Sequence, residues 1–166
     1  MTLRPPLWKP ILVAAAIALS VGAAGGALTD IGPWYRGLNK PWWNPADWVF
    51  PVAWSTLYAL IATAGVLAWR FAPSEGLRRR ILALFLLNAA LNVLWSALFF
   101  KLHRPDWALS EVIALWASII VLIFRVARAS RPASWLLVPY AAWVSFAAYL
   151  NFEIVRLNGS FVGAGL

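Results

Sequence analysis

Five long apolar stretches constrain the fold of this chain more than any other feature. Each is close to the roughly 20 residues that a helix needs to cross about 30 Å of hydrocarbon. They lie at about 8–29, 48–70, 79–101, 106–128 and 133–157. Of the 166 residues, 63% are hydrophobic and only 12% are charged, which is outside the range of ordinary soluble domains. The sequence therefore predicts an all-α membrane protein, a five-transmembrane-helix bundle that forms a single domain over residues 1–166.

The first apolar stretch has two interpretations. Arg4 and Lys9 precede an apolar segment that ends in small residues at 21–27, an order typical of a secretory signal peptide. The stretch is longer than a typical signal core, which favours a retained first helix. Within it, Gly22 and Gly26 are spaced G-x-x-x-G, a pattern that brings helix backbones close together in lipid, either inside one molecule or across a dimer.

Basic residues are distributed unequally between the two ends of the five spans. The side of the N-terminus carries Arg4, Lys9, Arg70, Arg78, Arg79, Arg80, Arg125, Arg128 and Arg131 against Glu75 alone. The other side carries Arg36, Lys40, Lys101, Arg104 and Arg156 against Asp30, Asp47, Asp106, Glu111 and Glu153. By the positive-inside rule, the basic N-terminal face is predicted to be cytoplasmic. The net charge of +8 thus reflects membrane orientation and predicts no nucleic-acid partner.

The residue inventory excludes several kinds of chemistry. The chain has no cysteine and one histidine, His103, so disulfides, thiolate chemistry and histidine-rich metal sites are excluded, and we predict neither a metal nor a cofactor. No charged residue falls in the middle third of a span, which argues against an ion-coupled pump. Glu111 and Glu153 lie near span ends, and we expect them to pair with Arg104, Arg156 or loop residues instead of acting as general acids.

The connection between the first two spans is rich in tryptophan and proline. Residues 34–60 contain five tryptophans, and the prolines among them fix backbone angles and remove amide donors. Indole rings add rigid apolar faces with a polar N–H. We predict a folded lid over a membrane pocket, with Arg36 and Lys40 near its mouth. The predicted lid residues are Trp34, Pro41, Trp42, Trp43 and Pro45.

Aromatic and amide side chains recur at one depth in spans two, three and five. At a rise of about 1.5 Å per residue, these side chains are predicted to lie between the bilayer midplane and the Trp-rich connection. Their spacing puts each set on one face of its helix. The sets are Trp54 and Tyr58; Asn92 and Trp95; and Trp143, Ala147 and Asn151. Such faces predict a pocket for a planar, largely apolar guest, optionally carboxylated, such as a tetrapyrrole or a flat heteroaromatic molecule.

The other tryptophans have simpler interpretations. Trp8, Trp69, Trp107 and Trp135 fall near span ends, where indoles form interfacial belts. Trp116 lies inside span four without a polar or aromatic neighbour at helical spacing, and we expect it to pack in the core.

Three motifs carry a resemblance to a known family. They are W-Y-x-x-L-N-K-P-x-W-x-P with F-P-x-x-W-x-x-L-Y over residues 34–58; N-x-x-W at 92–95 followed by Phe99-Phe100; and V-P-Y-x-x-W with L-N-F-E-x-x-R-L-N over 138–158. Together they resemble the TspO/MBR family of tryptophan-rich sensory proteins, whose mitochondrial members are the translocator proteins, or peripheral-type benzodiazepine receptors. The resemblance implies a multi-pass protein, of a bacterial membrane in this case, that binds porphyrins such as protoporphyrin IX and benzodiazepine-type or isoquinoline ligands.

The resemblance also implies particular residues and partners. The implied ligand contacts are Tyr35, Trp54, Tyr58, Asn92, Trp95, Trp143 and Ala147, and the implied assembly is a homodimer. The mammalian sterol motif needs a tyrosine within five residues of a basic residue, but Phe152 stands there before Arg156 and Tyr149 is one residue too far, so sterol binding stays open.

Three functions remain open at this point. The favoured one is a receptor or transporter-like binding protein for porphyrins without covalent chemistry of its own. The first alternative is an enzyme that degrades protoporphyrin photo-oxidatively through Trp54 and Trp143, and the second is a small multidrug exporter. Bacterial members of the family are linked to light- or oxygen-dependent regulation and to tetrapyrrole efflux or breakdown, and the residues select none of these roles.

Overall fold

The computed structural model describes residues 7–159 and 161, and it confirms the all-α bundle with five helical segments long and apolar enough to cross a membrane. Over these residues the helices are α1 (Trp8–Leu28), α2 (Pro33–Gly37), α3 (Val49–Phe71), α4 (Glu75–Ser96), a π-helical turn (Ala97–Lys101), α5 (Pro105–Ala127), α6 (Arg131–Trp135) and α7 (Val138–Asn158). The spans are α1, α3, α4 with its π-helical turn, α5, and α6 with α7. Arg4, which entered the charge comparison, lies outside the described residues.

Local capping explains where the third and fifth spans differ from the predicted limits. Helix α4 begins four residues before the predicted 79, because the Ser74 side chain accepts a hydrogen bond from the Leu77 amide at 3.2 Å and caps the helix ahead of its arginines. The fifth span is interrupted: Ser130 caps the short α6 through the Ala133 amide at 3.3 Å, and α7 starts only at Val138. Apolar content alone does not reveal these polar caps.

The five spans form a closed ring in the order α1, α3, α7, α5, α4. Helix α5 is the most deeply packed, with buried residues along its whole length, whereas α1 contributes only Gly25 to the buried set. Buried side chains form three clusters stacked along the bundle. We call the end that carries α2 the loop end, and the end that carries the α3–α4 and α5–α6 connections the basic end.

Helix α1 approaches the bundle through its glycines. A Cβ atom at Gly22 would lie 3.3 Å from Cε2 of Tyr58, and one at Gly25 would lie 3.8 Å from the Tyr58 hydroxyl, whereas nothing lies within 4 Å at Gly26. The intramolecular contact therefore uses Gly22 and Gly25 and leaves Gly26 without a close neighbour. The homodimer stays a prediction.

The tryptophans near span ends are mostly exposed, as expected of an interfacial belt: Trp8, Trp107 and Trp135 all face outward. The expectation for Trp116 is wrong. Its ring is 41% exposed on the outer surface of α5, and its indole N–H donates to Ser145 Oγ of α7 at 2.9 Å. Ser145 on α7 therefore supplies the polar partner that the residues at helical spacing from Trp116 on α5 do not supply.

Candidate functional site

A cavity of about 970 Å³ lies in the loop-end half of the bundle. Helices α1, α3, α4 and α7 and the π-helical turn surround it, and the segments on either side of α2 contribute Ile31 and Asp47 at its outer end. Its volume is near the upper end of the range typical of small-molecule pockets.

The structure brings together all of the residues that the sequence predicted to line such a pocket. The lining includes Tyr35, Trp54, Tyr58, Asn92, Trp95, Trp143, Ala147 and Asn151. It also includes Phe50, Ser55, Ser96, Phe99 and Phe100, which the prediction did not single out. Their role in ligand binding stays a prediction.

Aromatic rings form most of the cavity wall. Trp54 stacks on Tyr58 with ring centroids 5.4 Å apart, and on the facing side Trp95 stacks on Phe99 at 5.1 Å. The π-helical turn contains Phe99 and Phe100 and carries both into the lining, an example of an irregular helix at a candidate site. The wall therefore offers broad ring faces that suit a flat guest.

One polar group in this wall has no partner. The indole N–H of Trp95 is buried and makes no hydrogen bond among the residues that the structure describes. A buried donor without a partner costs free energy, so this N–H is a local cost to stability.

A chain of hydrogen bonds closes the deep end of the cavity. The Tyr58 hydroxyl donates to Asn92 Oδ1 at 3.4 Å, and Asn92 Nδ2 donates to the Tyr140 hydroxyl at 3.4 Å. Tyr140 then donates to Asn88 Oδ1 at 3.2 Å, and Asn88 Nδ2 donates to Ser118 Oγ at 2.8 Å. These groups join α3, α4, α7 and α5 and satisfy one another, as polar side chains within a membrane require. We call the five residues the polar septum.

Asn151 lines the cavity, but its amide is already engaged. With the amide oriented to satisfy both ends, its nitrogen donates to the Pro105 carbonyl at 3.1 Å and its oxygen accepts from the Leu109 amide at 3.1 Å. Asn151 therefore ties α7 to the first turn of α5. Its contribution to a guest would be contact surface and not a free hydrogen bond.

The charges at the cavity mouth differ from those expected. Arg36 donates through Nε to the Ile31 carbonyl at 3.1 Å, and Lys40 donates through Nζ to the Tyr35 carbonyl at 2.6 Å. Neither is part of the lining; among the described residues, the charged side chain that lines this cavity is Asp47. Burial raises the pKa of the Tyr35 phenol, and the nearby Asp47 carboxylate raises it further, so the phenol stays protonated at neutral pH.

The residues predicted to form a lid do not line the cavity. Trp34 stacks on His103 at 4.1 Å, and Trp43 stacks on Tyr149 of α7 at 5.3 Å, so both rings attach the loop to the bundle. Trp42 points outward and is 95% exposed, while Pro41 is buried and Pro45 is half-buried. The lid function stays a prediction, and the residues between α1 and α3 that reach the cavity are Thr29, Ile31, Tyr35 and Asp47.

A clasp joins the loop to the end of α7. The Asn39 amide donates to Asn158 Oδ1 at 2.8 Å, and Asn158 Nδ2 donates back to the Asn39 carbonyl at 2.8 Å. Asn158 also bonds the Ile154 carbonyl of its own helix at 2.8 Å, which orients the amide. Only backbone atoms of Asn39 take part, so the clasp depends on the side chain of Asn158 alone. Both asparagines belong to the sequence motifs, and the motifs do not indicate which of the two side chains forms the bonds.

The acidic residues near the loop end follow the expectation only in part. Glu153 pairs with Arg156 at 2.6 Å, as expected. For Glu111 the expectation is wrong: Arg104 pairs with Asp106, and both carboxylate oxygens of Glu111 are buried without a hydrogen-bond partner in the described part of the chain. Position near a span end did not reveal that the side chain turns into the bundle.

Comparison with known proteins agrees with this architecture. The model of the TspO/MBR family matches residues 12–157. The tryptophan-rich protein TspO of Chlorobaculum tepidum is 42% identical over 146 residues, which cover 86% of this chain and 91% of that protein. The tryptophan-rich sensory protein of Cereibacter sphaeroides is 40% identical, with coverage of 85% and 87%. The translocator protein of Bos taurus is 31% identical and 92% of each chain is covered.

Proposed function

The chain belongs to the TspO/MBR family of membrane proteins, and from that premise we propose that it binds porphyrins such as protoporphyrin IX and other planar, largely apolar molecules in the loop-end cavity. In this proposal the bound molecule is a ligand to be carried or sensed. The physiological partners are the lipid membrane and this small molecule.

The observation that carries the proposal is the composition of the cavity wall. Trp54, Trp95 and Trp143 line it together with Phe50 and Tyr58 around about 970 Å³, so both faces of a flat macrocycle would meet aromatic carbon. The few polar groups are suited to orientation and not to catalysis, because most are already paired within the protein.

One polar group is assigned to ligand recognition. The protonated phenol of Tyr35, which lines the cavity, supplies a hydrogen-bond donor from the loop. Ser55 and Ser96 are further polar residues of the lining. A guest with acceptors at its rim would match this arrangement better than a hydrocarbon of equal size.

A binding titration tests the proposal. The purified protein in neutral detergent is titrated with protoporphyrin IX while its tryptophan fluorescence is followed, and a flat isoquinoline is then added as competitor. We expect saturable quenching that the competitor reverses. Linear, non-saturable quenching, or quenching that the competitor leaves unchanged, would contradict a shared planar-ligand site.

Photo-oxidative degradation of the porphyrin is the second candidate, because the indoles of Trp54 and Trp143 both line the cavity and are oxidisable. In this reaction dioxygen would oxidise and open the macrocycle in light. Incubation of the protein and protoporphyrin IX in air, in light and in darkness, separates the candidates. A bilin-like product that forms only with protein and light supports the enzyme, and its absence under both conditions rejects it.

A further inference from the structure

A second cavity, of about 790 Å³, occupies the basic-end half of the bundle. Helices α1, α3 and α4 form its walls, and Val13, Ile17, Val66 and Phe85 are representative of its apolar lining. The planar-ligand site described above makes no use of this space.

The polar septum lies between the two cavities. Tyr58 and Asn92 line both of them, whereas Asn88 and Tyr140 line the second alone. Because these side chains hydrogen-bond to one another across the bundle, they end the second cavity in a polar surface. The second cavity thus has a polar inner end, and it adjoins the first cavity along Ala18 and Ala62 as well as at the septum.

The outer end of the second cavity is cationic. Lys9, Arg70 and Arg78 belong to its lining. Arg78 has one acidic partner, the exposed Glu75 at 3.4 Å, and its Nε also donates to the Trp69 carbonyl at 3.0 Å. Among the described residues, Lys9 and Arg70 form no ion pair. Three positive charges with one carboxylate between them leave an excess of positive charge where the cavity reaches the membrane surface.

The cavity has the length of one leaflet. Arg78 and Asn92 mark its two ends on α4, and at about 1.5 Å per residue they are roughly 21 Å apart. Half of a bilayer with its headgroup region is about 20–22 Å thick. An acyl chain whose head lies at the basic residues would therefore end near the septum.

From this polarity and length, we propose that the second cavity binds an anionic amphiphile, with its acidic head against Lys9, Arg70 and Arg78 and its acyl chain between α1, α3 and α4. A free fatty acid and an anionic phospholipid share this chemistry. The positive charges select the acidic head, and the apolar walls select the chain.

The test measures binding of radiolabelled palmitate to the full chain in neutral maltoside detergent, with hexadecanol, phosphatidylglycerol and phosphatidylcholine as competitors. One double variant, Lys9→Gln with Arg70→Gln, removes two charges from the cavity. A matched double variant, Arg80→Gln with Arg128→Gln, removes two charges from the same end of the protein but from neither cavity. Ala14→Phe fills the second cavity without altering the lining of the first, and thermal melting by near-ultraviolet circular dichroism checks that each variant is folded.

We expect saturable palmitate binding that hexadecanol and phosphatidylcholine do not displace. The cavity double variant should weaken it at least tenfold, the matched double variant less than twofold, and Ala14→Phe should abolish it. Displacement by phosphatidylglycerol would identify an anionic membrane lipid as an occupant, and failure of that displacement would restrict the site to free fatty acids. Absence of saturable binding, equal competition by hexadecanol, equal losses in the two double variants, or unchanged binding in folded Ala14→Phe would each overturn the proposal.

Discussion

Tyr140 shows how much a single side chain can hold together inside a membrane. Its hydroxyl accepts from Asn92 and donates to Asn88, so one oxygen satisfies two amides on α4 from a position on α7. Lipid offers these amides no alternative partner, and each would be costly to leave unpaired. Glu111 shows the opposite situation, since its buried carboxylate has no partner among the described residues and is a local cost to stability.

Tyr140→Phe is expected to destabilise the protein by about 1–2 kcal/mol, because it leaves Asn92 Nδ2 and Asn88 Oδ1 without their hydrogen-bond partner while changing the side-chain volume little. Thermal unfolding in detergent measures the effect. Tyr149→Phe is the matched control, since Tyr149 is more than half exposed on the outer face of α7. Equal melting temperatures for the two variants would show that the septum does not contribute to stability.

Asp47→Asn should tighten the binding of protoporphyrin IX by about two- to fivefold. The Asp47 carboxylate lines the cavity, and its negative charge repels the two acidic groups of this porphyrin. The repulsion is weak because Asp47 is exposed to water. The dimethyl ester of the same porphyrin carries no such charge, so its affinity should not change. A similar gain for the acid and the ester in parallel fluorescence titrations would show that Asp47 acts through shape and not through charge.

At the scale of elements, the loop before α3 is anchored at several separate points. Trp34 stacks on His103, Trp43 stacks on Tyr149, and Asn158 closes the clasp on the Asn39 backbone. These contacts fix the positions of Tyr35 and Asp47 relative to the cavity. The loop would have to release some of them to admit a large guest from the loop end.

Asn158→Ala should loosen this loop, whereas Asn39→Ala should not. The clasp uses the side chain of Asn158 but only backbone atoms of Asn39, so the first substitution removes both hydrogen bonds and the second preserves them. Hydrogen–deuterium exchange of residues 38–46 measures the difference, and we expect about tenfold faster exchange in Asn158→Ala alone, which corresponds to about 1.4 kcal/mol of local stability. Equal acceleration in both variants would mean that the clasp does not control the loop.

At the scale of the whole molecule, the five spans and seven of the eight predicted cavity residues follow from apolar length and helical spacing, which are local properties of the sequence, whereas Tyr35 is predicted from the family resemblance alone. The septum does not follow, since pairing of Asn88 with Ser118 depends on which helices are neighbours in the ring. The same holds for the bond between Trp116 and Ser145 and for the second cavity, whose lining comes from four helices. Sequence spacing identifies a face, but only the order of helices identifies its partner.

The unequal distribution of basic residues predicts the orientation of the bundle. A reporter fused after Leu166 should prove extracytoplasmic in an inner-membrane host, and one fused before Met1 should prove cytoplasmic, because the basic end is retained on the cytoplasmic side. Two reporters, one active only in the cytoplasm and the other active only outside it, measure on which side of the membrane each terminus lies. The reverse pattern would show that contacts of the loop end override the charge bias.

The central claim is that the loop-end cavity binds a planar ligand through its deep tryptophans, and porphyrin titration of four alanine variants tests it most directly. Trp54→Ala and Trp143→Ala should weaken protoporphyrin IX binding by about 1–3 kcal/mol, roughly five- to a hundredfold in Kd, because each removes a ring from the cavity wall. Trp107→Ala and Trp135→Ala should change Kd less than twofold, since both rings are more than half exposed and neither lines the cavity. With all four variants shown to be folded, equal losses in the two pairs would place the porphyrin elsewhere and contradict the account.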